Sequence, residues 1–175
     1  MNSVLLRIFL VGWLAVTPVP VCADGAPKSA GVTVFGSDPD LSAGAAALQL
    51  GNFEEGIRLT LEGLKRGPAA RNRASGLNNL CAGYVGTRQY EQAMEACDAA
   101  LEINAYNWHI YNNRALALLG LGRLEEARRD HETGLALKPD SPKLGQVRGL
   151  IDARHAETVL AAGSEPEAPA DAGAE

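Results

Sequence analysis

Apolar and small residues recur through the middle of the chain at the spacing of amphipathic helices. Phe53, Tyr90 and Leu124 each begin such a stretch, and they are nearly evenly spaced along the chain. Small residues follow each of them after three and after ten positions, namely Gly56, Ala93 and Ala127, then Gly63, Ala100 and Gly134. Residues at this spacing share one helix face, and small side chains there let a second helix approach closely. The pattern therefore predicts three equivalent helices, each packed against a partner.

A second apolar pattern precedes each of these helices and ends at Gly51, Gly86 or Gly122. In the third unit its apolar positions are Trp108, Tyr111, Ala115, Leu118 and Leu121. The chain is thus predicted to contain three helix–turn–helix units, in each of which a glycine closes the first helix. Similar units that repeat at this interval are typical of solenoid proteins.

A further helix is predicted over 142–160, because Ser141 is a favourable N-cap and Pro142 suits the first turn. A solenoid needs such a helix to cover the apolar face of its last unit. The expected buried stripe is Leu144, Val147, Ile151 and then Thr158 or Val159. Gly145 and Gly149 are interpreted as small positions that let this helix pack closely.

These units resemble the tetratricopeptide repeat. The residues that carry the resemblance are Tyr84, Ala93 and Ala100 in the second unit, and Ala115, Ala127 and Pro139 in the third. The first unit departs from the family pattern, with Gly56 and Gly63 where alanine is usual. The resemblance implies an all-α fold, a right-handed α-solenoid of three helix–turn–helix repeats with a C-terminal capping helix. The repeats are expected at 37–70, 74–107 and 108–141, within a repeat domain that covers 37–161.

Residues 1–23 have the layout of a secretory signal. A single base, Arg7, precedes an apolar run, and small residues precede Asp24, so cleavage is expected after Ala23. An uncleaved membrane anchor is one alternative, although the run is shorter than the roughly 20 residues that span a bilayer. A lipoprotein signal that uses Cys22 is another. The expected product is an exported protein with no stable membrane span, periplasmic in a bacterium and otherwise secreted.

The two segments that flank the repeats differ from them in composition. Residues 24–36 are expected to form a flexible N-terminal segment. Residues 162–175 are expected to form a disordered acidic tail, because they cannot bury enough apolar area to offset their ordering entropy. The whole chain has a net charge of −5 and only 5% aromatic residues. Neither a basic face nor a stacking platform for nucleic acid is therefore expected.

The sequence offers no catalytic or metal-binding motif. His109, His131 and His155 are far apart, and there is no phosphate-binding glycine loop or nucleophile motif. His131 falls where a side chain packs between the two helices of a repeat, and it is interpreted as a core histidine. We therefore expect no catalytic residue, no metal and no cofactor. An enzyme or a small-ligand binder is the weakest alternative.

The resemblance places Cys81 and Cys97 at facing positions of the second helix pair. Loss of Cys22 with the signal would leave these two cysteines as an even pair. In an oxidising compartment, two cysteines on closely packed helices are expected to form a disulfide. Two free thiols, buried as small apolar groups, are the alternative.

In the tetratricopeptide family the first helix of each repeat lines a concave groove. The resemblance places six candidate partner-binding residues there, namely Asn78, Asn79, His109, Asn112, Asn113 and Leu116. The Asn–Asn pair recurs at the same point of the second and third repeats, and asparagine can both donate to and accept from the backbone of an extended peptide. The alternative is that one asparagine of each pair bonds to the neighbouring repeat. Arg114, one position past the groove, is expected to form a salt bridge between helices.

The chaperone-binding members of the family hold a carboxylate with a clamp of lysine, asparagine and arginine residues. Only Asn79 matches that clamp; its other positions are occupied here by Leu41, Ala45, His109 and Asn113. We therefore expect a non-catalytic scaffold that binds a partner protein or peptide in its groove through other contacts. A structural accessory that acts mainly through self-association is the alternative. The sequence leaves the oligomeric state open.

Overall fold

The computed structural model describes residues 39–162. This part of the chain consists of seven α-helices and contains no strand. The helices are α1 (Pro39–Gln49), α2 (Phe53–Lys65), α3 (Ala70–Gly86), α4 (Tyr90–Ile103), α5 (Trp108–Gly120), α6 (Leu124–Leu137) and α7 (Pro142–Ala162). The expected signal at 1–23, the segment at 24–36 and, apart from Ala162, the acidic tail lie outside the described residues.

Consecutive helices pair as hairpins, and the hairpins stack. The pairs are α1–α2, α3–α4 and α5–α6, and each begins its second helix at Phe53, Tyr90 or Leu124. The odd-numbered helices also approach one another in order, from α1 through α3 and α5 to α7, whereas between residues 39 and 162 no two even-numbered helices have Cα atoms within 8 Å of each other. The odd-numbered helices therefore form a continuous inner layer, and the even-numbered helices form an outer layer. The predicted α-solenoid of three hairpins with a capping helix is confirmed.

The turn of each hairpin contains a residue in the left-handed backbone region. Gly51 and Gly122 have φ angles of 79° and 74°, as expected for turn glycines. In the second hairpin the equivalent residue is Arg88, with a φ angle of 61°, whereas Gly86 is the last residue of α3. The prediction that Gly86 closes the first helix of this unit is confirmed. Gly86 also serves packing, because a β-carbon there would lie 2.5 Å from ring atoms of Phe53.

Small residues set the distance between the two helices of the first hairpin. A β-carbon on Gly44 would lie 3.0 Å from the backbone nitrogen of Thr60 and 3.1 Å from the carbonyl oxygen of Gly56. The Thr60 hydroxyl is fixed at the same contact, since it donates a buried hydrogen bond of 2.7 Å to the Gly56 carbonyl. The backbone of α2 therefore leaves no room for a side chain at position 44 of α1.

The capping helix α7 buries only its first half. The buried residues of its predicted stripe are Leu144, Val147 and Ile151. From 152 to 161 every side chain is exposed, so the prediction that Thr158 or Val159 continues the stripe is wrong. The repeats end at this point, and α7 extends beyond them. Gly145 and Gly149 do not allow close packing as expected, because no atom lies within 4 Å of a β-carbon built on either.

Gly44→Ala is expected to destabilise the protein by about 2 kcal/mol, because overpacking against a backbone outweighs the helix propensity that alanine adds. Gly149→Ala is the matched control, since it is also helical but faces open space. Alanine at position 149 should stabilise by about 0.5–1 kcal/mol. Urea denaturation of both variants measures the two signs. A stabilised Gly44→Ala variant would contradict the prediction, because it would show that α1 and α2 can move apart without losing stability.

Candidate functional site

The four candidate asparagines lie on α3 and α5 in the inner layer. Asn113 Nδ2 donates a hydrogen bond of 3.0 Å to Asn78 Oδ1, and Asn112 Nδ2 donates one of 3.4 Å to Asn113 Oδ1. All four side chains, including that of Asn79, are inaccessible to solvent. Buried amides require hydrogen-bond partners. The bond between Asn113 and Asn78 supplies one, and it joins α5 to α3 across neighbouring repeats.

The alternative interpretation of the asparagines is therefore correct for Asn78 and Asn113, which bond between repeats. The interpretation of all four amides as open to a partner is wrong for these two, because they bond to each other within the protein. Contact of Asn79 and Asn112 with a partner stays a prediction.

His109, the fifth candidate, is half-buried in the first turn of α5. Its backbone N–H donates to the side-chain oxygen of Asn107 at 3.1 Å, which caps the helix, and its ring stacks on Trp108 with centroids 3.7 Å apart. Burial and, to a smaller extent, the positive charge of Lys143 lower the pKa of His109 to about 4. The imidazole is therefore neutral at physiological pH and supplies no cation to the inner layer.

Leu116, the sixth candidate, borders an apolar cleft where α3, α4, α5 and α7 meet. This cap cleft has a volume of about 280 Å³ and is lined by Val85, Tyr90, Leu116, Leu119, Gly120, Leu150 and Arg154. Leu116 is 8% exposed and Leu150 is 46% exposed. The cleft therefore combines nearly buried apolar walls with one leucine that is open to solvent.

Sequence reasoning missed Leu150 and Arg154, the two residues that α7 contributes to the cap cleft. Leu150 follows Leu116 by the interval that separates the third repeat from the second, and Arg154 follows Gly120 by the same interval. Extending the repeat register past 141 into the capping helix would have placed both of them beside the third repeat.

A polar cavity of about 280 Å³ lies between α4, α5 and α6 and contains Arg114. The guanidinium of Arg114 donates two hydrogen bonds of 2.7 Å to Asp130 and one of 2.7 Å to Asp98. The bonds to Asp130 raise the pKa of Arg114, although burial opposes the shift. The predicted salt bridge between helices is confirmed. These bonds join α5 to both α4 and α6.

His131 lies at the contact of α6 with α7 and is 4% exposed, as expected for a core histidine. Neither ring nitrogen has a hydrogen-bond partner in the described part of the chain. Burial and then the charge of Arg148 lower the pKa of His131, so the ring is neutral at physiological pH. Within 39–162 no group of three histidine, cysteine or carboxylate side chains could hold a metal ion.

Cys81 on α3 and Cys97 on α4 form the predicted disulfide in the structure. Their Cα atoms are 5.4 Å apart, within the range of natural disulfides. Both residues are buried in a core cluster that includes Ala93 and Ala100. The bond therefore joins the two helices of the central hairpin.

None of the helices that the structure describes is long and apolar enough to cross a membrane.

Comparison with known sequences gives two matches. The family model described as tetratricopeptide repeat matches residues 109–141. A Dictyostelium discoideum protein, named as a STIP1 homolog, is 30% identical over 101 residues, which cover 58% of this chain and 17% of the relative. The chain therefore spans less than a fifth of that relative's length.

Solved structures share the fold. The TPR domain of Sgt2 from Aspergillus fumigatus superposes with a TM-score of 0.61 at 20% identity, covering 85% of this chain and 97% of that one. The second TPR domain of human RPAP3, solved in complex with an HSP70 peptide, superposes with a TM-score of 0.54 at 25% identity, covering 65% and 92%. Residues 109–141 therefore form a tetratricopeptide repeat, in a chain that shares the fold of solved TPR domains.

Proposed function

We propose that this chain is an exported, non-catalytic scaffold that binds an extended segment of a partner polypeptide along its inner layer. The observation that carries the proposal is the unbroken contact from α1 through α3 and α5 to α7. Stacked helices of this kind produce one extended binding surface, which repeat proteins use for recognition. The peptide complex of the human RPAP3 domain supports a peptide as the class of ligand.

The partner proposed here does not depend on a carboxylate clamp. Leu41 and Ala45, which occupy two clamp positions, are buried and carry no charge. His109 is neutral at a third, because its pKa is lowered to about 4. No cation is present at these positions, so the proposal does not extend to the chaperone peptides that similar domains bind.

Site-specific photo-crosslinking tests which layer meets the partner. Benzoylphenylalanine is placed at Ser75 or Leu150 on the inner helices, and at Glu95 or Glu132 on the outer helices as exposed controls. In cells that naturally produce the chain, we expect the same partner polypeptide to be crosslinked from both inner positions and from neither outer one. Crosslinks from the outer positions alone would place the binding surface elsewhere and contradict the proposal.

The self-association alternative is separated by static light scattering of the purified chain. A monomer at tens of micromolar excludes it. If the chain is a dimer and the inner-layer positions crosslink one copy to the other, then the partner is a second copy of this chain.

Export is supported by the layout of residues 1–23 and by the Cys81–Cys97 disulfide, which oxidising compartments favour. Cell fractionation and N-terminal sequencing test it. We expect a mature chain that begins at Asp24 in the periplasm or the medium. A full-length chain recovered from the cytoplasm would contradict export.

A further inference from the structure

We infer that the cap cleft binds one bulky apolar side chain of the partner peptide together with an adjacent carboxylate of the same peptide. This inference rests on the proposed function and specifies the chemistry of the ligand. It concerns the end of the inner layer where α5 meets α7.

The shape and lining of the cap cleft suit an apolar side chain. Leu116 and Leu119 form walls that are 8% and 7% exposed, and Leu150 leaves 46% of its surface open. Two other apolar residues of α7, Val159 and Leu160, are also exposed, but neither lines the cleft. Burial of a ligand side chain would remove the open face of Leu150 from water and strengthen binding by about tenfold or more.

Gly120 fixes the shape of the cleft on the α5 side. A β-carbon at this position would lie 2.6 Å from Cδ1 of Tyr90, so only glycine lets the tyrosine ring lie against α5. The ring of Tyr90 therefore forms part of the lining. An aromatic wall beside three leucines offers contacts that favour a large apolar group over a polar one.

The charge of the cleft suits a carboxylate. Arg154 is the one charged residue among the described side chains that line it. Its Nε lies 3.3 Å from Glu157 Oε2, but both side chains are more than half exposed, so the pair is weak and a ligand carboxylate can replace Glu157. Lys143, Leu150, Arg154 and Glu157 share one face of α7 by their spacing, so two bases face one acid there. The net positive charge of that face favours an acidic peptide.

Peptide binding by fluorescence anisotropy tests the inference. The probe is a short fluorescein-labelled peptide with one leucine followed by one glutamate. Two matched peptides have alanine for the leucine or lysine for the glutamate. The full chain with its disulfide intact should bind the leucine–glutamate peptide about tenfold more tightly than the alanine peptide.

Leu150→Asp should abolish the preference for leucine, and Arg154→Glu should reverse the preference between glutamate and lysine. Leu160→Asp is the matched control, because it places the same charge on an exposed leucine of α7 outside the cleft. Thermal melting shows whether all three variants fold as the wild type does.

The inference would be overturned if Leu150→Asp preferred the leucine peptide as strongly as the wild type does. It would also be overturned if Leu160→Asp lost this preference as fully as Leu150→Asp. A dimer that Leu150→Asp converts to a monomer would assign the cleft to a second copy and also overturn it. If no peptide of the series binds while Ser75 and Leu150 still crosslink to a partner, the inference fails and the proposed function stands.

Discussion

Replacing Arg114 with alanine should lower the free energy of unfolding by about 3 kcal/mol, the loss typical of breaking one side of a buried ion pair. The side chain of Asp130 is only 9% exposed, and both of its oxygens accept hydrogen bonds from Arg114. Without the guanidinium, this carboxylate stays out of water with no opposite charge beside it. Urea denaturation of the variant measures the loss.

Two control variants separate the buried charge from the rest of the network. Asp98→Asn removes the other partner of Arg114, which is 53% exposed, and should reduce stability by less than about 1 kcal/mol. Replacing both members of the inner pair, with Arg114→Met and Asp130→Leu together, should restore most of the stability because no uncompensated buried charge remains; the charge left on Asp98 is solvated. If Arg114→Ala loses no more than Asp98→Asn, then Asp130 is solvated in the variant and the argument is wrong.

The network also explains how one inner helix holds two outer helices. Arg114 lies on α5, whereas Asp98 is on α4 and Asp130 is on α6. Within the described range the backbones of these two outer helices do not pack directly, since none of their Cα atoms lie within 8 Å of each other. Arg114 therefore couples the second hairpin to the third, which is the nearest-neighbour term on which the stability of a solenoid depends.

The helices could be predicted because the small residues that let them pack closely recur at a regular interval in the sequence. Ala93, Ala100 and Ala127 are fully buried where helices approach, so their size is required by packing and is visible in the sequence.

The turn of the second hairpin could not be predicted in this way. There the exposed Arg88 adopts the left-handed conformation that glycine adopts in the other two hairpins, against a local preference of about 1–2 kcal/mol. The turn is closed by backbone hydrogen bonds from Arg88 N–H to the Val85 carbonyl at 3.1 Å and from Gln89 N–H to the Tyr84 carbonyl at 2.8 Å.

The candidate site was predictable as a surface but not residue by residue. The repeat register placed Asn78 and Asn113 on the inner layer, yet it could not show that they would bond to each other across repeats. A single sequence does not distinguish an amide that serves a ligand from one that serves a neighbouring helix. Leu150 was missed because the register was not extended into α7, although it lies one repeat length after Leu116.

Reduction of the Cys81–Cys97 disulfide should lower the free energy of unfolding by about 3 kcal/mol on the chain-entropy model. The bond closes a loop with a sequence separation of 16 and constrains the unfolded chain. It joins the helices of the central hairpin, which contacts helices of both neighbouring hairpins. Loss of this constraint should therefore destabilise the whole solenoid, and we expect the melting temperature to fall by roughly 10 °C.

Thermal melting with and without reductant measures this effect, and the double variant Cys81→Ala with Cys97→Ala is the control. The variant should melt near the reduced wild type and should not respond to reductant, because its small apolar side chains preserve the packing while removing the bond. Mass spectrometry of the chain from its native source decides whether the bond forms there. Two thiols that react with an alkylating agent after unfolding would contradict the disulfide.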